Sequence, residues 1–428
     1  MNKIKDLEWF CPQPFMNTLV YRTVAPTGCC VLKDWPKTGI KQKYGTTDPK
    51  ELHNKEEYVN FRNEFLNGGG PLTQNHCTVC IEQEKHSSLS HRQIYLEKFT
   101  GKNGEYREHL EDLEEYINTD MSEPKFLSME YIAPSNFCNL RCNMCGPANS
   151  SSLAQENKDI GLHDAFGMRA FKDKPSLLKE KDNVEDYADI LKNLVELKLV
   201  GGETLAIKEN YDLMQLAVDL DVSKNMSLRI TTNGTLTPKF GGKDVFDYIP
   251  HFKDCQMTVS IEFWGEKNNY IRFPSKWEVI LKNAKKFAYG RKTRVMFATT
   301  VNALTIGYLP EIADGVYELR KEYESKAISG NLWSWASGSL VWGAGNQYAV
   351  TSIPLDIREI YMDKYFEYGD FMKKEFEEWK KLYYYLQDMP FDEELHKEMM
   401  TDIQLRDKHR GTCLTDVFPE WEPYYEKL

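Results

Sequence analysis

Cys138-Asn139-Leu140-Arg141-Cys142-Asn143-Met144-Cys145 is a C-x3-C-x2-C array, and it follows an apolar segment, Phe126 to Ile132, that reads as a strand. Thiolates are soft ligands suited to iron–sulfur clusters, which normally take four of them. The array supplies three. A four-iron cube held by three thiolates keeps one iron open, and an open coordination position lets a second molecule bind the metal directly. A structural zinc site or buried free thiols are the alternative readings. Zinc calls for a nearby fourth Cys or His, and none closely follows Cys145.

Outward from this loop the chain alternates strand-like and helical segments, the pattern of βα units on a parallel sheet. Six strands are expected: Phe126 to Ile132, Val195 to Val200, Ser227 to Thr232, Gln256 to Ile261, Arg294 to Val301, and one within Ala327 to Ser337. The cysteine loop then leaves the carboxyl end of the first strand, the face on which such folds carry chemistry. Between strands, Trp277, Ile280, Leu281, Ala284, Phe287 and Ala288 recur on one helical face, with Ser275 and Glu278 spaced as a capping box. The acidic stretch Tyr106 to Asp120, with Leu110, Leu113 and Ile117 at helical spacing, reads as a surface helix leading into this sheet. After Pro354 the chain is rich in aromatic and charged residues, and Tyr361 to Leu386 suggests one or two amphipathic helices whose aromatics pack a core.

The expected fold class is α/β, a partial (β/α)6 TIM-like barrel. A Cys-rich module with its connecting helix (1–124) precedes the barrel (125–355), and a helical extension (356–428) follows it. A net charge of -11 with no segregated basic patch argues against nucleic-acid and anionic-membrane partners. Residues 1–10 lack a secretory apolar stretch and no run approaches a membrane span, so a soluble, cytoplasmic protein is expected. In that compartment the ten cysteines are read as ligands or core residues rather than disulfides. Cys255 and Cys413 stand alone and are read as buried thiols. Cys11, Cys29, Cys30, Cys77 and Cys80 lie early and can supply four thiolates to a second site, cluster or zinc, since C-x2-C is shared by zinc ribbons.

The spacing of Cys138, Cys142 and Cys145 resembles that of the radical SAM superfamily, whose loop binds a catalytic [4Fe-4S] cluster. Gly201-Gly202-Glu203 after the second strand is similar to the family's GGE motif, which implies that Glu203 pairs with the ammonium of S-adenosylmethionine (SAM) while the glycines let backbone approach closely. Thr232 and Asn233 end the third strand, where SAM polar groups would be bound, although Asn233-Gly234 also reads as an ordinary turn. Ser260 ends the fourth strand, and Arg272 suits the SAM carboxylate, with a surface ion pair as its competing reading. Asn302 stands where the family often contacts adenosine. Met144 replaces an aromatic common before the third cysteine, which puts adenine stacking there in doubt but not ligation.

The early cysteines resemble Twitch/SPASM auxiliary-cluster modules, with Phe10-Cys11-Pro12-Gln13-Pro14-Phe15 and a later C-x2-C followed by Glu84 and Arg92. The smaller Twitch form fits the cysteine count, with Cys11, Cys29, Cys77 and Cys80 as ligands or Cys30 in place of Cys29. Asp407 to Gly411 and Val417 to Glu420 also look like the tail of this subgroup. The resemblance implies reductive cleavage of SAM to a 5'-deoxyadenosyl radical that takes hydrogen from a peptide, protein or small molecule. It further implies net oxidation or crosslinking through the auxiliary cluster, and a flavodoxin- or ferredoxin-type electron donor. Two other classes stay open: a non-catalytic zinc- or cluster-binding interaction protein, and an electron-transfer iron–sulfur protein.

Overall fold

The computed structural model describes residues 3–20, 29, 32, 49–86, 90–162, 183–288, 293–324, 334–340, 347–367, 383–384 and 386–425. Its centre is a parallel sheet of seven strands in sequence order: β1 (Asn17–Val20), β2 (Ser128–Ile132), β3 (Glu196–Val200), β4 (Ser227–Thr232), β5 (Asp254–Ser260), β6 (Thr293–Val301) and β7 (Ser334–Leu340). Consecutive parallel neighbours need a crossover at every step. Helices provide it: Lys208–Asp219 between β3 and β4, Trp277–Ala288 between β5 and β6, and Leu309–Glu324 between β6 and β7. Among the described residues the sheet is open, with β1 and β7 at its edges, as in a partial barrel.

Six of these strands overlap the expected ones. The seventh, β1, comes from the amino-terminal segment and pairs in parallel with β2 through Asn17↔Ser128 to Val20↔Tyr131. Its four residues are all buried, so it carries no alternating pattern for periodicity to detect. The sixth expected strand starts within 327–333, which lies outside the described residues, and is found as β7. The suggested helices across Tyr361 to Leu386 are described only as Leu355–Glu367 and at the end of that range; residues 368–382 lie outside the described set.

The core lies between strands and helices. Met129, Tyr131, Leu197, Leu199, Leu228, Ile230, Met257 and Val259 meet Ile280, Ala284 and Phe287 in one buried cluster. Each fully buried Leu, Ile or Phe is worth about 1.5–3 kcal/mol over an exposed one. The Trp277–Ala288 helix buries the expected face, with Leu281 half-buried at its margin. Its capping box does not form: the Ser275 Oγ has no hydrogen-bond partner, because the backbone turns back to Arg272 before the helix begins at Trp277.

The amino-terminal helices dock on the amino ends of the strands. Lys98 of the His91–Thr100 helix pairs with Glu196 at the start of β3 at 3.2 Å, and Arg229 of β4 joins Glu196, Asp254 and Glu105 at 3.0–3.2 Å. These polar ties occupy one end of the sheet. The other end carries the cysteine loop.

Candidate functional site

Cys138, Cys142 and Cys145 follow β2 and form one small apolar cluster with Leu140 and Met144. The first two are buried and the third half-buried. The loop keeps its shape through its neighbours. Arg141 N donates to Phe273 O at 2.6 Å and Asn143 N to Ile271 O at 3.0 Å. The Ser150 and Ser152 hydroxyls donate to the carbonyls of Leu140 and Cys138, each at 2.6 Å. Ser150 also caps the Ser151–Asp159 helix, so helix start and cysteine loop are fixed by one side chain.

Burial pushes the Cys138 and Cys145 thiols up to about 12 and raises Cys142 as well, with Arg272 opposing in each case. Thiols so placed ionise on binding a metal rather than before it. Among the described residues no group of three or more His, Cys, Asp or Glu converges to hold a single metal ion. Cluster ligation does not ask for that convergence, since each thiolate meets a different iron.

Gly202 lies against the segment preceding Cys138. A Cβ there would stand 2.2 Å from the Phe137 carbonyl oxygen, and the next residue, Glu203, donates its N–H to that same oxygen at 2.6 Å. The glycine therefore serves protein–protein approach between two loops. The Glu203 carboxylate is fully buried and accepts from the Thr232 hydroxyl (2.5 Å), Asn233 N (2.7 Å) and Leu205 N (3.1 Å). A carboxylate has about four acceptor positions, so three donors leave room for one more. Burial raises its pKa against these donors.

Asn233 links the loops at the ends of β2 and β4. Its amide donates to Asn139 Oδ1 at 3.0 Å and lies 3.9 Å from Cys138 Sγ, while its Oδ1 accepts from Thr235. The Asn-Gly turn is real: Gly234 has φ of +73°. Arg272 is buried, not on the surface. One arm donates to Glu262 at 2.6 Å, another lies 3.9 Å from Cys142 Sγ, and its Nε has no hydrogen-bond partner. Burial pushes the Glu262 carboxyl up to about 7 despite Arg272.

Ser260 ends β5 half-buried opposite Ala298, with no side-chain hydrogen bond among the described residues. Asn302 is fully buried and spends its side chain on its own turn, donating to Thr300 O and accepting from Leu304 N, each at 3.0 Å. Sequence reasoning missed Asn139, Glu262 and the clamp made by Arg410. Arg410, on the Glu393–Arg410 helix, donates to Asn143 Oδ1, to Arg141 O and to buried Glu156 at 2.6–2.8 Å. No local pattern joins residues so far apart in the chain.

The second group lies elsewhere. Cys11, Cys29, Cys77 and Cys80 line one pocket with about 370 Å³ of empty space, partly open to solvent. Cys30 lies outside the described residues. Arg92 grips Glu84 in a fork at 2.7 and 2.8 Å and donates to Phe10 O at 3.0 Å, tying the C-x2-C helix to the segment bearing Cys11. Burial pushes Cys77 up to about 12. Cys11 precedes β1 while Cys138 follows β2, and the two strands are parallel, so the two thiol groups sit at opposite ends of the sheet. Cys255 and Cys413 are buried.

With loops from β2, β3, β4 and β5 converging on three thiols, the comparison with known families becomes specific. Residues 132–315 match the Radical SAM superfamily model. The matched segment runs from the end of β2 into the Leu309–Glu324 helix and contains every residue of the thiol loop. No curated protein matches the chain. Among solved structures, Streptococcus suis SuiB bound to S-adenosylmethionine aligns at TM-score 0.35 and 16% identity, covering 77% of this chain and 63% of that one. Native anSMEcpe with bound AdoMet and Kp18Cys peptide aligns at TM-score 0.34 and 16% identity, covering 57% and 61%. The chain spans less than two thirds of either. Among the described residues no helix is long and apolar enough to cross a membrane.

Proposed function

We propose that the chain is a radical SAM enzyme in which Cys138, Cys142 and Cys145 hold a [4Fe-4S] cluster with one open iron. The observation that carries this reading is the placement of three thiols, two buried and one half-buried, on the loop after β2, inside the segment that matches the family. When bound, cluster and SAM supply the one-electron cleavage that yields a 5'-deoxyadenosyl radical. The protein's residues orient and exclude. Glu203 offers its remaining acceptor position to the SAM ammonium while Thr232 and Asn233 hold it in place, and the unpartnered Nε edge of Arg272 is suited to a carboxylate. Met144 packs against the thiol cluster, and Ser260 ends β5. Asn302 shapes the β6 turn through its side-chain hydrogen bonds.

Cys11, Cys29, Cys77 and Cys80 are proposed to hold an auxiliary cluster, supported by their shared pocket. A five-residue strand spans about 16 Å at roughly 3.3 Å per residue, and the two thiol groups lie at opposite ends of the sheet. That placement favours electron supply or removal at the auxiliary site over contact with the reacting bond. A flavodoxin- or ferredoxin-type donor and a peptide or small-molecule substrate complete the proposal, with action in the cytoplasm. The test is anaerobic purification with iron and sulfide analysis and a 5'-deoxyadenosine assay. The wild type should form deoxyadenosine on reduction with SAM, and Cys142→Ala should not. Zinc in place of iron, or no deoxyadenosine from fully loaded protein, would overturn the reading.

A further inference from the structure

The Glu56–Leu66 helix turns Tyr58, Phe61, Arg62 and Phe65 inward, the i, i+3, i+4, i+7 stripe that normally buries apolar side chains. Arg62 is the exception. It is only 2% exposed, its Nε has no hydrogen-bond partner, and among the described residues no carboxylate pairs with it. Burial lowers its pKa to about 10, which still leaves it charged at neutral pH. A buried cation without a partner costs several kcal/mol, and among the described residues none supplies the counter-charge.

A pocket adjoins this cation. Arg62 lines the pocket together with Asn17, Thr18, His53 and Tyr58, and among the described residues no acidic side chain lines it. His53 adds hydrogen-bonding capacity but no charge. Its Nε2 lies 2.7 Å from the Tyr116 hydroxyl, which itself donates to Met121 O at 2.9 Å, so Nε2 is the donor and Nδ1 carries no proton. Burial pushes His53 down to about 3. Among the described residues of the pocket wall, Arg62 is therefore the only cation. The pocket shares Pro14, Cys29, Leu32 and Phe61 with the four-thiol pocket, which places its occupant beside those cysteines.

We propose that Arg62 anchors an oxyanion ligand, a carboxylate or phosphate group, in a pocket adjoining the Cys11, Cys29, Cys77 and Cys80 site. The guanidinium presents a planar donor fork that matches either group. The inference does not depend on what the cysteines hold.

The experiment measures thermal unfolding of the full-length chain, purified anaerobically, at constant ionic strength in chloride, acetate or inorganic phosphate. The wild type should be stabilised by acetate, phosphate or both over chloride, and the responding anion identifies the source. Arg62→Met, of similar length and uncharged, should keep or raise the midpoint in chloride, since it removes a buried charge, and should weaken the anion response about tenfold or more. On the wild type, hydrogen exchange across residues 49–66 should slow with the effective anion, a readout that stands if the variant does not fold. Equal anion responses in both proteins, or no response and no slowing of exchange in the wild type, would overturn the proposal.

Discussion

At position 202 a single methyl group decides whether two loops fit. A Cβ there would lie 2.2 Å from the Phe137 carbonyl and 2.9 Å from the Asn136 carbonyl carbon, both backbone atoms that cannot swing aside. Gly202→Ala should destabilise the chain by about 1–3 kcal/mol, seen as a lower urea midpoint, and should weaken SAM binding by displacing the thiol loop. An unchanged midpoint would mean that the loops are not packed as described. Glu203→Gln makes a different point. It keeps the shape but puts an amide donor among the donors of Thr232, Asn233 and Leu205, leaving a buried group unsatisfied at a cost of about 1–3 kcal/mol. The sequence singled out Gly202 and Glu203 and assigned the glycine to cofactor approach. The Phe137 carbonyl that uses the space is a tertiary partner, and tertiary partners leave no local trace. Arg272 is the converse: a surface ion pair stood as the competing reading, whereas the pair it makes with Glu262 is buried.

Among elements, the carboxyl-terminal Glu393–Arg410 helix holds the thiol loop from outside. Arg406 and Arg410 converge on Glu156, whose side chain is fully buried, and Arg410 also reaches Arg141 O and Asn143. Removing the shared acid leaves two buried guanidinium groups with a lost partner, so Glu156→Ala should cost about 3–5 kcal/mol, read by calorimetry. Arg410→Met, which frees the loop while Arg406 still holds Glu156, should lower iron retained after anaerobic gel filtration with a smaller loss of stability; unchanged retention would contradict the clamp. The motif-like tail around Arg410 was visible in the sequence, but its role was not. The strands and the Trp277–Ala288 helix were legible because burial on one face writes a period into the sequence. β1 was not, because four wholly buried residues have no period.

For the whole molecule, the sheet separates two thiol sites, and buried histidines make the amino-terminal docking acid-sensitive. Burial pushes His53 down to about 3 and His91 to about 4, each from an ordinary value of 6.5. Between those folded values and 6.5 the unfolded chain binds protons that the folded chain does not. Stability is therefore full above about pH 6.5 and falls as pH drops toward 4. The urea midpoint should be lower at pH 5 than at pH 7.5, and the slope should shrink in His53→Gln and His91→Gln; a flat profile would contradict the burial of these rings. Separation of the sites carries its own consequence. Cys77→Ala should reduce iron per chain while the loop of Cys138 to Cys145 continues to support deoxyadenosine formation, whereas its loss of both together would place all seven thiols in one interdependent centre. The direct measurement of the central claim is the electron paramagnetic resonance spectrum of reduced, iron-loaded Cys77→Ala, taken with and without SAM. An iron left open by only three thiolates should give a spectrum that changes when SAM binds. Identical spectra at saturating SAM would mean that no iron is open, and the account would fail.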